Sequence, residues 1–259
     1  MLERIFEKIS MRNYTIQETF TLPSKGKVYD VPVDAQVTLR SMTLLEELKK
    51  TSPSQYQYKS VCDAIEDCMV TKPNIHVYDM CIGDYQFLVH KLRAITFGTE
   101  YKLGVKCSVC GNVEVHTMDL DELEVLEYDS EFDTLKTITL PQCEAVIELQ
   151  LQTPRILDTI EKIRNERLAK DPEQIDPRLE LVLMYNIAKV DGKVLAKPAL
   201  ENFVHNLSMK DVNYILKSSD KLNGKIGIDT TIGCSCSKCK ANYLSTFRIT
   251  PEFYYPSID

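Results

Sequence analysis

Two C-x-x-C pairs constrain this chain more than any other feature: Cys107-Ser-Val-Cys110-Gly111 near the middle and Cys236-Ser-Lys-Cys239 near the end, the second preceded by Cys234. The x₂ spacing lets two sulfurs of one tight turn reach the same ion, and two such pairs supply the four thiolates of a tetrahedral structural Zn²⁺ site. Thiolates rather than carboxylates also suit zinc chemically. The expected ligands are Cys107, Cys110, Cys236 and Cys239. A Cys234-x-Cys236 chelate is an alternative, with Cys234 otherwise lining the site or packing beneath it. His116 and His205 are further ligand types, although lone histidines are mostly surface or core residues.

Residues 111 to 235 separate the pairs, and that length is no obstacle. Each doubling of a loop adds only about 0.6 kcal/mol to closure, whereas structural zinc contributes roughly 10 kcal/mol or more in small peptides. Nine cysteines in a chain read as cytoplasmic do not form a disulfide framework. Cys62, Cys68, Cys81 and Cys143 fall in apolar patterns and are expected to be small core residues.

Along the chain, Leu2, Ile5, Phe6 and Ile9 have helical spacing, and this helix packs either on its own body or on a neighbour. Strands are expected from Tyr14 to Thr21 and from Val31 to Leu39, separated by the turn chemistry of Leu22-Pro-Ser-Lys-Gly26. Thr43-Leu-Leu-Glu46 is a capping box. A helix stripe runs through Tyr58, Val61, Cys62, Ile65, Cys68 and Met69, and a further helix is expected with Asp84 as its cap and Gly98 at its end. Asp119 to Glu127 reads as an acidic loop or short helix, followed by strand candidates at 137–140 and 145–151. Thr153-Pro154 and Asp176-Pro177 open two helices. Asp191-Gly192 marks a two-residue hairpin turn, and helices follow at 198–206 and 208–218. Alternation from Ile226 to Ile232 leads into the second cysteine pair and from Tyr243 to Ile249 out of it, so the two cysteine segments form a weak internal repeat.

These elements predict an α+β fold: a zinc-ribbon-like β-lobe closed by two C-x-x-C knuckles, with a helix-rich block nested between them. The expected divisions are an N-terminal helix and extended arm at 1–26, an α+β region at 27–100, a discontinuous zinc-binding β-lobe at 101–152 and 225–259, and a helical insert at 153–224. The net charge of −7 argues against general nucleic-acid binding. Lys102, Lys106, Lys238, Lys240 and Arg248 nevertheless surround the lobe, and a zinc-ribbon nucleic-acid-binding regulator is the alternative function. No apolar run is long enough to span a membrane. Four thiolates would close the coordination shell to water, and H-E-x-x-H, G-x-S-x-G and glycine-rich phosphate-loop motifs are missing, so no enzyme is expected.

The order Phe20-Thr-Leu-Pro-Ser-Lys-Gly26, Val37-Thr-Leu-Arg-Ser-Met-Thr43, Cys107-x-x-Cys110-Gly111, a second knuckle and Phe253-Tyr-Tyr-Pro-Ser257 resembles the baseplate proteins of T-even-type contractile-tailed bacteriophages. The resemblance implies a non-enzymatic component of the tail baseplate hub, or a factor assembling it, made in the infected cell. Its implied partners are other hub, tail tube or tape-measure proteins, with several copies in a symmetric assembly in the virion. Phe253, Tyr254 and Tyr255 either fold back on the core or anchor in a partner pocket.

Overall fold

The computed structural model of the chain describes residues 15–50, 54–171, 173–247 and 253. The expected helix at 2–9, Arg248, Tyr254 and Tyr255 lie outside the described residues.

Strands β1 (Gln17–Thr21) and β2 (Gln36–Arg40) pair antiparallel, with Thr19 and Thr38 opposite each other and their hydroxyls 2.9 Å apart. β3 (Met69–Thr71) completes a three-stranded sheet on the other side of β2. The strand expected at 31–39 is therefore shorter and later. Residues 22–35 are instead committed to a turn that buries Leu22, Val28 and Val33.

Helix α1 (Leu44–Lys50) starts with the expected capping box: the Glu46 carboxylate accepts from the Thr43 N–H at 2.8 Å, and the Thr43 hydroxyl accepts from the Leu45 N–H at 3.3 Å. Helix α2 (Gln57–Cys68) buries Val61, Cys62, Ile65 and Cys68, the expected stripe. Its own N-cap, Tyr56, contributes no side-chain capping bond. The free amides of Tyr58 and Lys59 are met at 3.1 and 2.9 Å by the buried carboxylate of Asp158, which arrives from a distant helix.

Helix α3 (Ile82–Phe97) is the spine, with Tyr85, Leu88, Val89 and Leu92 wholly buried. It begins two residues before Asp84, with Cys81 at the N-cap, so Asp84 is not the cap expected from the sequence. Its carboxylate turns inward and accepts from the Ser24 N–H at 2.9 Å, the Ser24 hydroxyl and the Tyr29 hydroxyl at 2.6 Å. Burial pushes the Asp84 pKa up, while these donors pull it partly back. The Leu22–Gly26 turn is thus pinned to the spine. Gly98, at φ 88°, ends the helix as expected.

His90 on this helix is 1% exposed and binds the Leu120 carbonyl through Nε2 at 2.8 Å, while its Nδ1 has no hydrogen-bond partner among the described residues. Burial lowers its pKa from 6.5 to about 4. Between those values the unfolded chain binds a proton that the folded chain refuses. Its contribution is therefore complete above pH 6.5 and drains away as the pH falls toward 4, roughly 3 kcal/mol in all. In denaturant titrations, His90→Gln, which keeps an N–H donor and does not titrate, should flatten stability across that window.

The first cysteine pair lies between β4 (Glu100–Lys106) and β5 (Val113–Asp119). A 3₁₀ turn at Leu120–Glu122, strand β6 (Val125–Leu126), helix α4 (Glu131–Leu135) and strands β7 (Thr137–Thr139) and β8 (Val146–Leu149) follow. Helix α5 (Pro154–Lys170) is capped by Thr153, whose hydroxyl accepts from the Ile156 N–H at 3.2 Å. Helix α6 (Arg178–Asn186) runs into β9 (Ile187–Val190), which ends in the expected turn with Asp191 and Gly192 at φ 49° and 74°. Helices α7 (Lys197–His205) and α8 (Met209–Asn223) come next, the second capped by Ser208. Strands β10 (Gly227–Ile228), β11 (Thr231–Ser235) and β12 (Asn242–Thr246) close the described chain.

Two long-range pairings were not foreseen. β8 lies between β7 and β9, so 137–149 is hydrogen-bonded to the helix-rich block, and the two share a cluster around Phe132, Ile147, Leu183, Ile187, Ile215 and Leu222. β6 pairs with β10, which brings the acidic stretch at 119–127 onto the C-terminal part of the chain. A separate cluster joins Leu22, Val37, Ile65 and the α3 face to Leu120, Ile228, Phe247 and Phe253. No helix among the described residues is long and apolar enough to cross a membrane.

Candidate metal centre

Each cysteine pair sits at the tip of a hairpin, β4–β5 for the first and β11–β12 for the second. The tips fold alike. In the first, the Cys107 N–H donates to the Asn112 carbonyl at 2.7 Å and the Gly111 N–H to the Cys107 carbonyl at 3.0 Å. In the second, the Cys236 N–H donates to the Ala241 carbonyl at 3.0 Å and the Lys240 N–H to the Cys236 carbonyl at 2.9 Å. Gly111 and Lys240 both adopt left-handed backbone, at φ 71° and 62°. The turn demands that conformation, which glycine adopts freely and lysine only at a cost.

The hairpins bring their tips together. Cys107 Sγ lies 3.8 Å from Cys239 Sγ and Cys110 Sγ 3.6 Å from Cys236 Sγ, and all four sulfurs fall within 4.8 Å of one another. A tetrahedron of sulfurs about 2.3 Å from a central ion has edges of about 3.8 Å. The arrangement therefore fits a four-coordinate thiophilic cation and is too wide for a disulfide. The backbone N–H groups of Cys110 and Val109 draw the Cys107 pKa down to about 7. At Cys239 the Ala241 N–H also pulls down, but the thiols of Cys110, Cys236 and Cys107 together with burial outweigh it and push the pKa up to about 12. A cation would replace this opposition at Cys239 with attraction.

Cys234 is 4% exposed and its sulfur is outside the group of four. On β11 it pairs with Tyr243, the position that Val105 holds opposite Glu114 in the first hairpin, so it packs beneath the site as a small apolar residue. The Glu114 carboxylate reaches across to the other knuckle and accepts from the Ser237 N–H at 3.2 Å through each oxygen. This clamp had no sequence signal, because it joins residues far apart in the chain.

Other candidates fall elsewhere. His116 Nε2 is 3.6 Å from Glu114, and His205 pairs with Glu180 at 3.2 Å; neither enters the sulfur cluster. Glu180, Glu201 and His205 form a second grouping, but Arg167 at 2.9 Å already supplies the positive charge beside Glu180. Cys62, Cys68 and Cys81 are buried as expected, and burial pushes the Cys68 thiol up to about 12. Cys143 is not a core residue: it is exposed on the β7–β8 turn, where Glu144 takes φ 57°.

Phe253 is 2% exposed and folds back on the core, one of the two alternatives read from the sequence. Its ring lies 4.8 Å from Tyr101, its carbonyl accepts from the Arg93 Nε–H at 3.1 Å, and the Arg93 guanidinium lies over both rings. Cation–π contact and backbone carbonyls take the place of water around this 2% exposed arginine.

A cleft of about 630 Å³ lies between residues 28–31 and the β8–β9 face. It holds the Lys189–Glu148 ion pair and Cys81, whose thiol is pushed up by burial and so kept protonated.

A family model described as T4 bacteriophage base plate protein matches residues 11–253. No curated protein and no solved structure matches the chain.

Proposed function

Because the chain belongs to the T4 bacteriophage base plate protein family, we propose that it is a non-enzymatic structural or assembly component of the tail baseplate's hub region, locked by one structural zinc ion. Cys107, Cys110, Cys236 and Cys239 are the proposed ligands. Zinc supplies no reaction in this role, since four thiolates leave no open position for water. The observation that carries the reading is the family match along nearly the whole chain, and the four-sulfur geometry supports the zinc.

Partner contact is supported by α1, whose polarity is inverted. Glu46 and Lys50 are buried, with Glu46 gripped by Arg40 at 2.8 Å, while Leu44, Leu45 and Leu48 are 73%, 59% and 57% exposed. The helix anchors itself through its charged face and turns its leucines outward, a pattern that marks an interaction surface. The proposed occupant is an apolar face of another hub, tail tube or tape-measure protein.

Leu44→Asp with Leu45→Asp tests this assignment, because acidic residues in the first turn of a helix suit its dipole and leave the fold intact. The expected outcome is an unchanged melting temperature with at least a 100-fold loss in binding to tail proteins, since burying two leucines contributes about 3 kcal/mol or more. Quantitative mass spectrometry of purified virions tests the function itself. Presence in the tail at fixed stoichiometry, or enrichment on hub assembly intermediates, supports the reading. Exclusion from both, combined with steeply salt-dependent micromolar binding to DNA or RNA, favours the zinc-ribbon regulator.

A further inference from the structure

The two hairpins correspond residue for residue. Gly104, Val105, Cys107, Cys110, Glu114 and Val115 of the first stand where Gly233, Cys234, Cys236, Cys239, Tyr243 and Leu244 stand in the second, with no insertion between. The strand pairings obey the same rule: Gly104 faces Val115 as Gly233 faces Leu244, and Val105 faces Glu114 as Cys234 faces Tyr243. The four-sulfur site is thus assembled from two copies of one unit, and departures from that symmetry stand out.

The clearest departure is the pair Glu114 and Tyr243. Glu114 crosses to the opposite knuckle and accepts from Ser237, the residue after its first cysteine. By the same symmetry Tyr243 faces the first knuckle, at Cys107 and Ser108. Its hydroxyl oxygen is sealed from solvent and has no hydrogen-bond partner among the described residues. Tyr243 lies directly opposite Cys234, which packs beneath the four sulfurs, and burial together with the nearby Cys234, Cys107, Glu114 and Cys236 raises its pKa. A sealed, unpaired hydroxyl is costly unless some state of the protein satisfies it.

We propose that Tyr243 is a positioning residue of the metal centre, donating its O–H to the Cys107 thiolate when the four sulfurs hold a divalent cation. This rests on the zinc reading above. Four thiolates around a divalent ion carry two net negative charges, and a fixed donor aimed at one sulfur offsets part of that charge and holds the sulfur in place. The carboxylate at the equivalent position cannot do this, because it has no proton to donate; it grips a backbone N–H instead. The two halves of the unit thus divide the work: one ties the knuckles together and the other stabilises the charged cluster.

Tyr243→Phe in the full chain is the test, read with Zn²⁺ competition, Co²⁺ absorption and melting with and without chelator. The expected results are zinc affinity about 10-fold weaker and sulfur-to-cobalt charge-transfer bands shifted to lower energy, because the sulfur lone pair loses its donor. Melting of the metal-free form should be unchanged or raised, since an unpaired buried hydroxyl has been removed. A residue that merely fills space would lower melting in both forms. Tyr214→Phe, on the exposed face of α8, should move nothing. A Tyr243→Phe chain with wild-type zinc affinity and an unmoved cobalt spectrum overturns the proposal while leaving zinc in place. A wild-type chain that takes up no Co²⁺ overturns the zinc reading and this inference with it.

Discussion

Cys236→Ser is expected to abolish binding of the proposed zinc and to cost on the order of 5 kcal/mol of stability, a large part of the roughly 10 kcal/mol or more that structural zinc contributes in small peptides. The reason is geometric. The hairpins β4–β5 and β11–β12 are each only two strands, which are marginal alone, and their tips meet at the four sulfurs. Without the ion, the neighbouring thiols oppose ionisation of Cys239, whose pKa they push up to about 12. Hydrogen exchange should lose protection at 100–119 and 231–246 while α3, packed in the apolar cluster, keeps its own. Cys234→Val is the informative control. Val105 occupies the same place in the other hairpin, so this variant should retain one zinc per chain and near wild-type stability. A chain in which Cys234→Val loses the metal and Cys236→Ser keeps it would reverse the ligand assignment.

Gly83→Ala is expected to destabilise the protein by about 3 kcal/mol or more, although it adds a single methyl group. A Cβ on Gly83 would lie 2.2 Å from the Ile226 carbonyl oxygen and 2.8 Å from its carbon. Gly227, at φ +123°, is 2.9 Å from the Gly83 Cα at its own Cβ position. Both obstacles are backbone, so no rotamer change relieves them. The first turn of α3 and β10 must separate, opening the contact that brings Ile226 and Ile228 onto the two apolar clusters and loosening the β6–β10 pair. Gly104→Ala, where a Cβ would meet nothing within 4 Å, should change stability by no more than about 0.5 kcal/mol. Denaturant unfolding of the two variants side by side checks both values.

These two sites differ in how far the sequence announced them. The cysteine pairs were legible because metal-ligand spacing is a local pattern, and so were the caps at Thr43, Thr153 and Ser208 and the Asp191-Gly192 turn, each governed by residues within a few positions. The Gly83–Gly227 approach has no such signature, since each glycine is unremarkable until the other is beside it. Asp84 misled for a related reason. A carboxylate near a helix start normally caps it, but here three donors from the Ser24 and Tyr29 region met that carboxylate inside the protein and moved the start to Ile82. Asp158 does the reverse, capping a helix to which it does not belong.

Polarity patterns were uninformative where long-range contacts decide which face of an element is buried. In α1, the sequence Leu44-Leu-Glu-Glu-Leu48 announces only a capped helix start, and the Arg40–Glu46 contact turns the charged face inward. The resulting exposed leucines are a feature that only the fold reveals. The β8–β9 pairing was hidden in the same way: strand segments that read as part of the cysteine lobe found their partner in the helix-rich block.

X-ray absorption at the zinc edge, on the full chain purified without added metal, tests the central claim most directly. The account predicts one zinc per chain with a first shell of four sulfurs at about 2.3 Å. A folded chain with no zinc, or a shell containing nitrogen or oxygen ligands, would contradict it.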